Sequence, residues 1–208
     1  MLPSTIPLFP LPNVVLFPNV FLPLHIFEPR YKAMVADALE GDRIIGMVLL
    51  RPGWEREYEG RPPVFPIGCA GLITHHERLP DGRYNIVLRG LQKFRIREED
   101  ASRSYRIAEV DTIHEPPAIS QQEDLRARRR RLESLLVPQP SGRSQDAKVP
   151  PSMPDEDLIN ALAQYMELEP LEKQALLERE GLLSRCDSLI ELLEIKMMVP
   201  DRRWSGAH

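Results

Sequence analysis

Proline interrupts the apolar N-terminal stretch of this 208-residue chain every few residues. A proline breaks a helix interior and cannot donate to a strand ladder, so this stretch can form only short edge strands and tight corners. The apolar runs between the corners, Ile6–Phe9, Val14–Phe17 and Val20–Leu24, predict strands. Because no Lys or Arg precedes Arg30, the stretch also fits poorly with a signal peptide or a membrane-spanning helix. The interrupting residues are Pro3, Pro7, Pro10, Pro12, Pro18 and Pro23.

One helix and several more strands follow this stretch. Pro29 suits the first helical position and Gly41 the end, and apolar residues between them recur at helical spacing. Pro80-Asp81-Gly82 is the clearest hairpin turn of the chain. Strands are predicted at Arg43–Leu50, Pro66–Leu79, Arg83–Leu91, Lys93–Arg97 and Tyr105–Val110. This set of strands with one inserted helix predicts a small barrel.

The second half of the chain has helical periodicity. Glu123–Leu136 is predicted to be a helix, and 138–154, rich in Pro, Ser and charge, is predicted to be a mobile loop. Three more helices follow: one carries Leu158, Ile159, Leu162, Tyr165 and Met166 on one face, one begins near Pro170, and one has Ser184 and Asp187 in capping-box spacing. We therefore expect an α+β chain with a barrel subdomain at 1–117 and a helical bundle subdomain at 118–208.

The charge and cysteine content point to a reduced, cytoplasmic chain without cofactors. The net charge is −4, so no global field draws the protein to nucleic acid or to an anionic membrane. Cys69 and Cys186 lie far apart and outside any CxxC pattern, which favours free thiols. The basic run Arg126–Arg131 offers a possible phosphate-binding stripe, but acidic residues flank it and its arginines surround the helix, which favours a solvated helix.

Sequence motifs for catalysis are missing. No GxxxxGK[ST] loop and no GxSxG elbow occur, so neither ATP hydrolysis nor a serine nucleophile is expected. His25, His75 and His76 with Cys69 or Glu77 are the remaining candidates for a metal or Cys/His site. Adjacent histidines on a strand point to opposite faces, so we interpret them as an exposed strand-end pair. No catalytic residue, metal or cofactor is predicted.

Several blocks, in the same order, resemble the N-terminal substrate-binding domain of Lon proteases. They are Ile6–Leu11, Val14–Pro18, Leu22–Tyr31, Gly68–Ile73, the Pro80–Gly82 hairpin, Val87–Ile96 and Lys173–Glu178. The resemblance covers almost the whole chain apart from the Pro-rich loop. It implies a PUA-like β pseudobarrel followed by a helical bundle, here in a stand-alone form without ATPase or peptidase domains.

The resemblance also implies a function, because in full-length Lon this region helps to recognise unfolded or tagged proteins. We expect a non-catalytic module that binds unfolded or exposed apolar polypeptide segments as an adaptor, a recognition factor or a weak holdase. A full-length ATP-dependent protease is a candidate partner. The alternative is RNA binding, because PUA-like barrels elsewhere bind RNA.

The candidate binding residues lie in the N-terminal strands and the turn into the first helix. Most large apolar residues of this region are expected in the core, and alternation along the strands is expected to expose about half of them. The exposed ones are expected to line a groove between barrel and bundle. The candidates are Phe21, Leu24, His25, Phe27 and Tyr31.

Overall fold

The computed structural model describes residues 2–57, 60–115, 122–136 and 153–198. These residues belong to two compact units. The first unit comprises Met1–His114 and Asn160–Glu178, and the second comprises Glu115–Ile159 and Arg179–His208. The subdomain boundary predicted at 117/118 lies outside the described residues, as does the predicted mobile loop 138–154 apart from Met153 and Pro154.

The strands of the first unit form one mixed sheet. Within the described ranges they are β1 Thr5–Leu11, β2 Phe21–Ile26, β3 Ile44–Leu49, β4 Ile67–Arg78, β5 Tyr84–Asp100 and β6 Arg106–Thr112, with a short 3-10 helix at Trp54–Glu57. The strand order is β2-β5-β4-β3-β1-β6, and β5 also pairs with β6. Five strands therefore close on one another, and β2 is paired with β5 alone among the described strands.

The length of β5 explains this topology. Its first residues, Tyr84–Arg89, pair with β2, and its last residues, Phe94–Asp100, pair with β6. The sequence predicted two strands here, whereas the structure has one continuous strand with β-bulges in its pairings. The hairpin between β4 and β5 is confirmed: Gly82 has φ 78°, and the Leu79 N–H donates to the Arg83 carbonyl over 2.8 Å.

The first unit is held by an apolar core against which α1, Pro29–Glu40, packs. The α1 residues Tyr31, Met34, Val35 and Ala38 are buried, as the periodicity predicted. The predicted end of α1 at Gly41 is also confirmed. Inside the sheet, a buried cluster comprises Ile6, Leu8, Val48, Ala70, Phe94, Ala108 and Val110. These side chains alternate along their strands, because only one face of each strand points inward.

The prediction of a strand at Val14–Phe17 is wrong. This segment is a buried loop, and the Phe17 N–H donates to the side-chain oxygen of Gln164 over 3.2 Å instead of joining a ladder. The chain then approaches β5 so closely that a Cβ on Gly90 would lie 2.0 Å from the Phe17 carbonyl oxygen. Its apolar residues therefore serve the core without strand geometry.

The remaining helices are α2 Gln122–Leu136, α3 Asp155–Tyr165, α4 Pro170–Glu178 and α5 Gly181–Met198. In the first unit, α4 packs on β4, and the Gln174 amide donates to the Ile67 carbonyl over 3.0 Å. In the second unit, α2 packs on α5. The predicted capping box is wrong, because α5 begins at Gly181, in a left-handed conformation with φ 79°, and Ser184 lies inside the helix. The α+β class is confirmed.

Candidate functional site

Strand β2 exposes aromatic side chains. Its burial alternates with period two, so that Phe21, Pro23 and His25 face solvent while Leu24 is half-buried. Phe21 is 49% exposed, and Phe27, just after the strand, is 62% exposed. A solvent-facing strand normally carries polar residues at these positions. The two phenylalanines are therefore exposed apolar side chains, one at each end of β2, that do not contribute to the core.

The outer edge of β2 has no partner strand among those described. In an antiparallel ladder, alternate residues turn their main-chain groups away from the paired strand. The Phe21 carbonyl points outward in this way: it accepts a 2.8 Å hydrogen bond from the Tyr165 hydroxyl and not from β5. Pro23 and His25 have the same phase as Phe21, and the missing N–H of Pro23 leaves the ladder with β5 intact. The outer edge of β2 therefore presents main-chain carbonyl acceptors and, at His25, a main-chain N–H donor.

A shallow pocket of about 310 Å³ opens beside this strand. Leu24 and His25 line it, together with His75 of β4 and Asn85 of β5. Two of the predicted candidates therefore meet in one depression, and the two phenylalanines flank them along the chain.

His25 is held in one tautomer. Its Nε2 lies 3.2 Å from the Arg83 guanidinium, which can only donate, so Nε2 accepts. Nδ1 must then carry the proton and donate to the Asn85 side-chain oxygen over 2.8 Å, while the Asn85 amide donates to Glu77 over 3.0 Å. The ring also stacks on Phe27 at a centroid distance of 6.4 Å. These contacts fix a flat side chain beside the exposed aromatic.

Tyr31 does not share this surface. It is only 6% exposed, and its ring lies 4.5 Å from the ring of Phe9. The inward face of α1 carries it into the core, so the structure removes it from the candidate set. Tyr165, 65% exposed and bonded to Phe21, takes its place. Tyr165 lies 144 residues from Phe21 in the chain, so no local sequence pattern could predict that the two residues are in contact.

The described residues do not form the metal site or the Cys/His site that the sequence analysis considered as alternatives. Among the described residues, no group of three or more His, Cys, Asp or Glu side chains is placed to hold a metal ion. His75 and His76 are both exposed on β4. Cys69 and Cys186 are both buried and are not joined by a disulfide, and burial raises the pKa of the Cys186 thiol to about 12. A thiol in that state is a poor nucleophile. No helix in the described part of the chain has the length and apolar character to cross a membrane.

Three arginines of the α2 run form ion pairs with carboxylates of the second unit. Arg128 pairs with Asp187 at 2.6 Å, Arg129 with Glu133 at 2.8 Å and Asp155 at 2.9 Å, and Arg131 with Glu194 at 2.6 Å. These ion pairs account for the run without a nucleic acid.

Comparison with known families decides the relationship. The model of the substrate-binding domain of ATP-dependent protease La, or Lon, matches residues 5–194. The chain belongs to this family. It is 26% identical to the Lon protease of Flavobacterium johnsoniae over 208 aligned residues, and 28% identical to Lon protease 2 of Myxococcus xanthus over 201. Each alignment covers 94% of this chain and 24% of the relative.

Solved structures agree on the fold. The crystal structure of a Lon N-terminal domain protein from Xanthomonas campestris superposes with a TM-score of 0.58 at 21% identity, covering 92% of this chain and 98% of that one. The N-terminal domain of a Mycobacterium avium complex Lon protease gives 0.64 at 18% identity, covering 91% and 98%. The chain therefore spans about a quarter of the full-length relatives and nearly all of the isolated domains.

Proposed function

We propose that this chain binds exposed apolar segments of unfolded polypeptides through the edge of β2. The observation that carries the proposal is the pair of exposed aromatics, Phe21 and Phe27, on and just after a strand whose outer edge has no partner among the described strands. Family membership supports the same class of ligand, since the matching family is a substrate-binding domain.

The geometry favours a client in an extended conformation. An extended segment beside β2 would accept from the His25 amide and donate to outward carbonyls, while its apolar side chains pack on Phe21 and Phe27. Main-chain bonds of this kind do not depend on the client's sequence. Recognition would therefore depend on apolar content and on lack of structure, which are the properties of an unfolded chain.

Binding through this surface would be weak and transient. Burial of about 400 Å² of apolar surface at ~25 cal/mol/Å² gives a gross ~10 kcal/mol. Association costs about 4–15 kcal/mol, so little net affinity remains. Fast release suits a non-catalytic recognition factor, an adaptor or a weak holdase that samples clients, and it would allow transfer of clients to an ATP-dependent protease.

The test is fluorescence anisotropy with a labelled, permanently unfolded polypeptide and the same polypeptide in its folded form. We expect saturable binding of the unfolded form and little binding of the folded form, with no ATP hydrolysis or cleavage above a mock-purified control. A single-stranded oligoribonucleotide provides the comparison with the RNA alternative. If the oligoribonucleotide binds and the unfolded polypeptide does not, the proposal is wrong.

A further inference from the structure

Four arginines line one pocket of the first unit, of about 310 Å³. They are Arg30 at the start of α1, Arg61, Arg103 just before β6, and Arg106 at the start of β6. Among the described residues that line the pocket, none is acidic. Because the whole chain has a net charge of −4, this concentration of positive charge is local.

Main-chain carbonyls hold two of the guanidinium groups, and one of these two also pairs with a carboxylate. Arg61 donates to the main-chain carbonyls of Asp100 and Arg103 over 3.0 and 3.2 Å, and among the described residues it makes no hydrogen bond to a carboxylate. Arg106, whose side chain is 7% exposed, donates to the Pro62 carbonyl and to Glu99 over 3.1 Å. Neither arginine needs a ligand to be positioned.

The other two are oriented by carboxylates that do not line the pocket. Arg30 bonds to Glu28 over 3.0 Å, and its guanidinium lies 4.7 Å from the centroid of the Tyr31 ring. Arg103 pairs with Asp37 and donates to the Tyr105 hydroxyl over 3.0 Å. A guanidinium has five N–H donors, so Arg103 retains donors for a ligand beside its bonds to Asp37 and Tyr105.

We propose that this pocket binds a phosphate group carried on a small organic moiety. Arginine forks match phosphate oxygens bidentately, and a dianion with three acceptor oxygens can use several guanidinium groups at once, whereas a single carboxylate cannot. Pro10, Leu50 and Tyr105 supply apolar and aromatic wall beside the charge. The volume lies at the lower end of small-molecule sites, so it suits a phosphate ester or one phosphorylated side chain.

Calorimetric titration at low ionic strength tests this site with defined probes. We expect phenyl phosphate to bind saturably, inorganic phosphate more weakly, and phenol not at all. The substitution Arg61→Gln should weaken phenyl phosphate binding about ten-fold, the usual effect of one charge-assisted hydrogen bond. A phosphotyrosine peptide distinguishes the two sources: tighter binding than phenyl phosphate indicates a phosphorylated polypeptide, and equal binding indicates a small phosphate ester.

The matched control is Arg95→Gln, which removes an equal charge from an exposed position of β5 outside the pocket. It should leave phenyl phosphate binding unchanged. Ser104→Asp, which places a carboxylate on the pocket wall, is a second variant that retains Arg61 and should also reduce binding. Absence of saturable phenyl phosphate binding, or equal losses in Arg61→Gln and Arg95→Gln, would overturn the proposal. Binding of unfolded polypeptide, measured on the same variants, should not change.

Discussion

The hydroxyl of Tyr165 donates a 2.8 Å hydrogen bond to the main-chain carbonyl of Phe21. The bond occupies an outward acceptor at the first residue of β2 and holds an exposed ring beside Phe21. The helical segment that carries Tyr165 therefore contributes to the candidate surface. The remaining outward groups, from Pro23 to His25, form the part of the edge to which we propose that a client adds.

Tyr165→Phe separates the hydrogen bond from the ring. The variant should lose no more than about 1 kcal/mol of unfolding free energy, because the bond is solvent-exposed and water replaces it. Binding of unfolded polypeptide should be unchanged, because the ring remains. Tyr165→Ala should weaken binding several-fold. Urea unfolding and anisotropy measure the two quantities, and equal binding by Tyr165→Ala and wild type would exclude the ring from the site.

Phe21→Ser and Phe27→Ser test the apolar surface directly. Each should weaken binding of an unfolded client by about 1–3 kcal/mol, the scale of one buried apolar side chain, with little loss of stability. Met197→Ser is the matched control, because Met197 is 51% exposed and lies on α5 in the second unit. If the control weakens binding as much as Phe21→Ser does, recognition is a general property of exposed apolar residues and not of β2.

Tyr31→Ala should behave as a core substitution. Its ring is buried against Phe9, so removal should cost about 3–5 kcal/mol of unfolding free energy. Phe27→Ala, at a 62% exposed position, should cost far less. Chemical denaturation of both variants measures the difference. Similar stabilities of the two variants would place Tyr31 outside the core.

The buried thiol of Cys186 predicts a loss of stability at alkaline pH. Burial raises its pKa from an ordinary 9.0 to about 12 in the folded state. Above pH 9 the unfolded chain therefore loses this proton while the folded chain retains it, and the unfolding free energy falls as pH rises. The fall should reach about 1 kcal/mol by pH 10.

Cys186→Ala provides the comparison for this prediction, because it removes the titrating group and leaves the others in place. Between pH 7.5 and pH 10, its unfolding free energy, measured in urea, should fall by about 1 kcal/mol less than that of the wild type. Identical pH dependence in the two proteins would mean that the thiol is accessible to solvent.

The elements that follow from local rules were predictable from the sequence. Pro29 and Gly41 delimited α1, and the Pro80–Gly82 turn joined two strands that do pair. The resemblance to the Lon domain gave the family and the fold class. These signals depend on neighbours in the chain or on ordered motif blocks.

Features that depend on long-range packing were not predictable. Val14–Phe17 has the composition of a strand, but its burial against Gln164 and β5 removes it from any ladder. Alternation assigned half of the N-terminal aromatics to the surface without deciding which, so it could not show that Tyr31 belongs to the buried half. The contribution of Tyr165 depends on a contact with Phe21 across 144 residues, which no local pattern encodes.

Site-specific photo-cross-linking tests the central claim most directly. A photoreactive phenylalanine analogue replaces Phe27 in one protein and Met197 in another, and each protein is irradiated with a labelled unfolded polypeptide. Strong cross-linking from position 27, little from position 197, and competition by unlabelled unfolded polypeptide are the predicted results. Equal yields from the two positions, or no cross-link from position 27 at saturating client, would contradict the account.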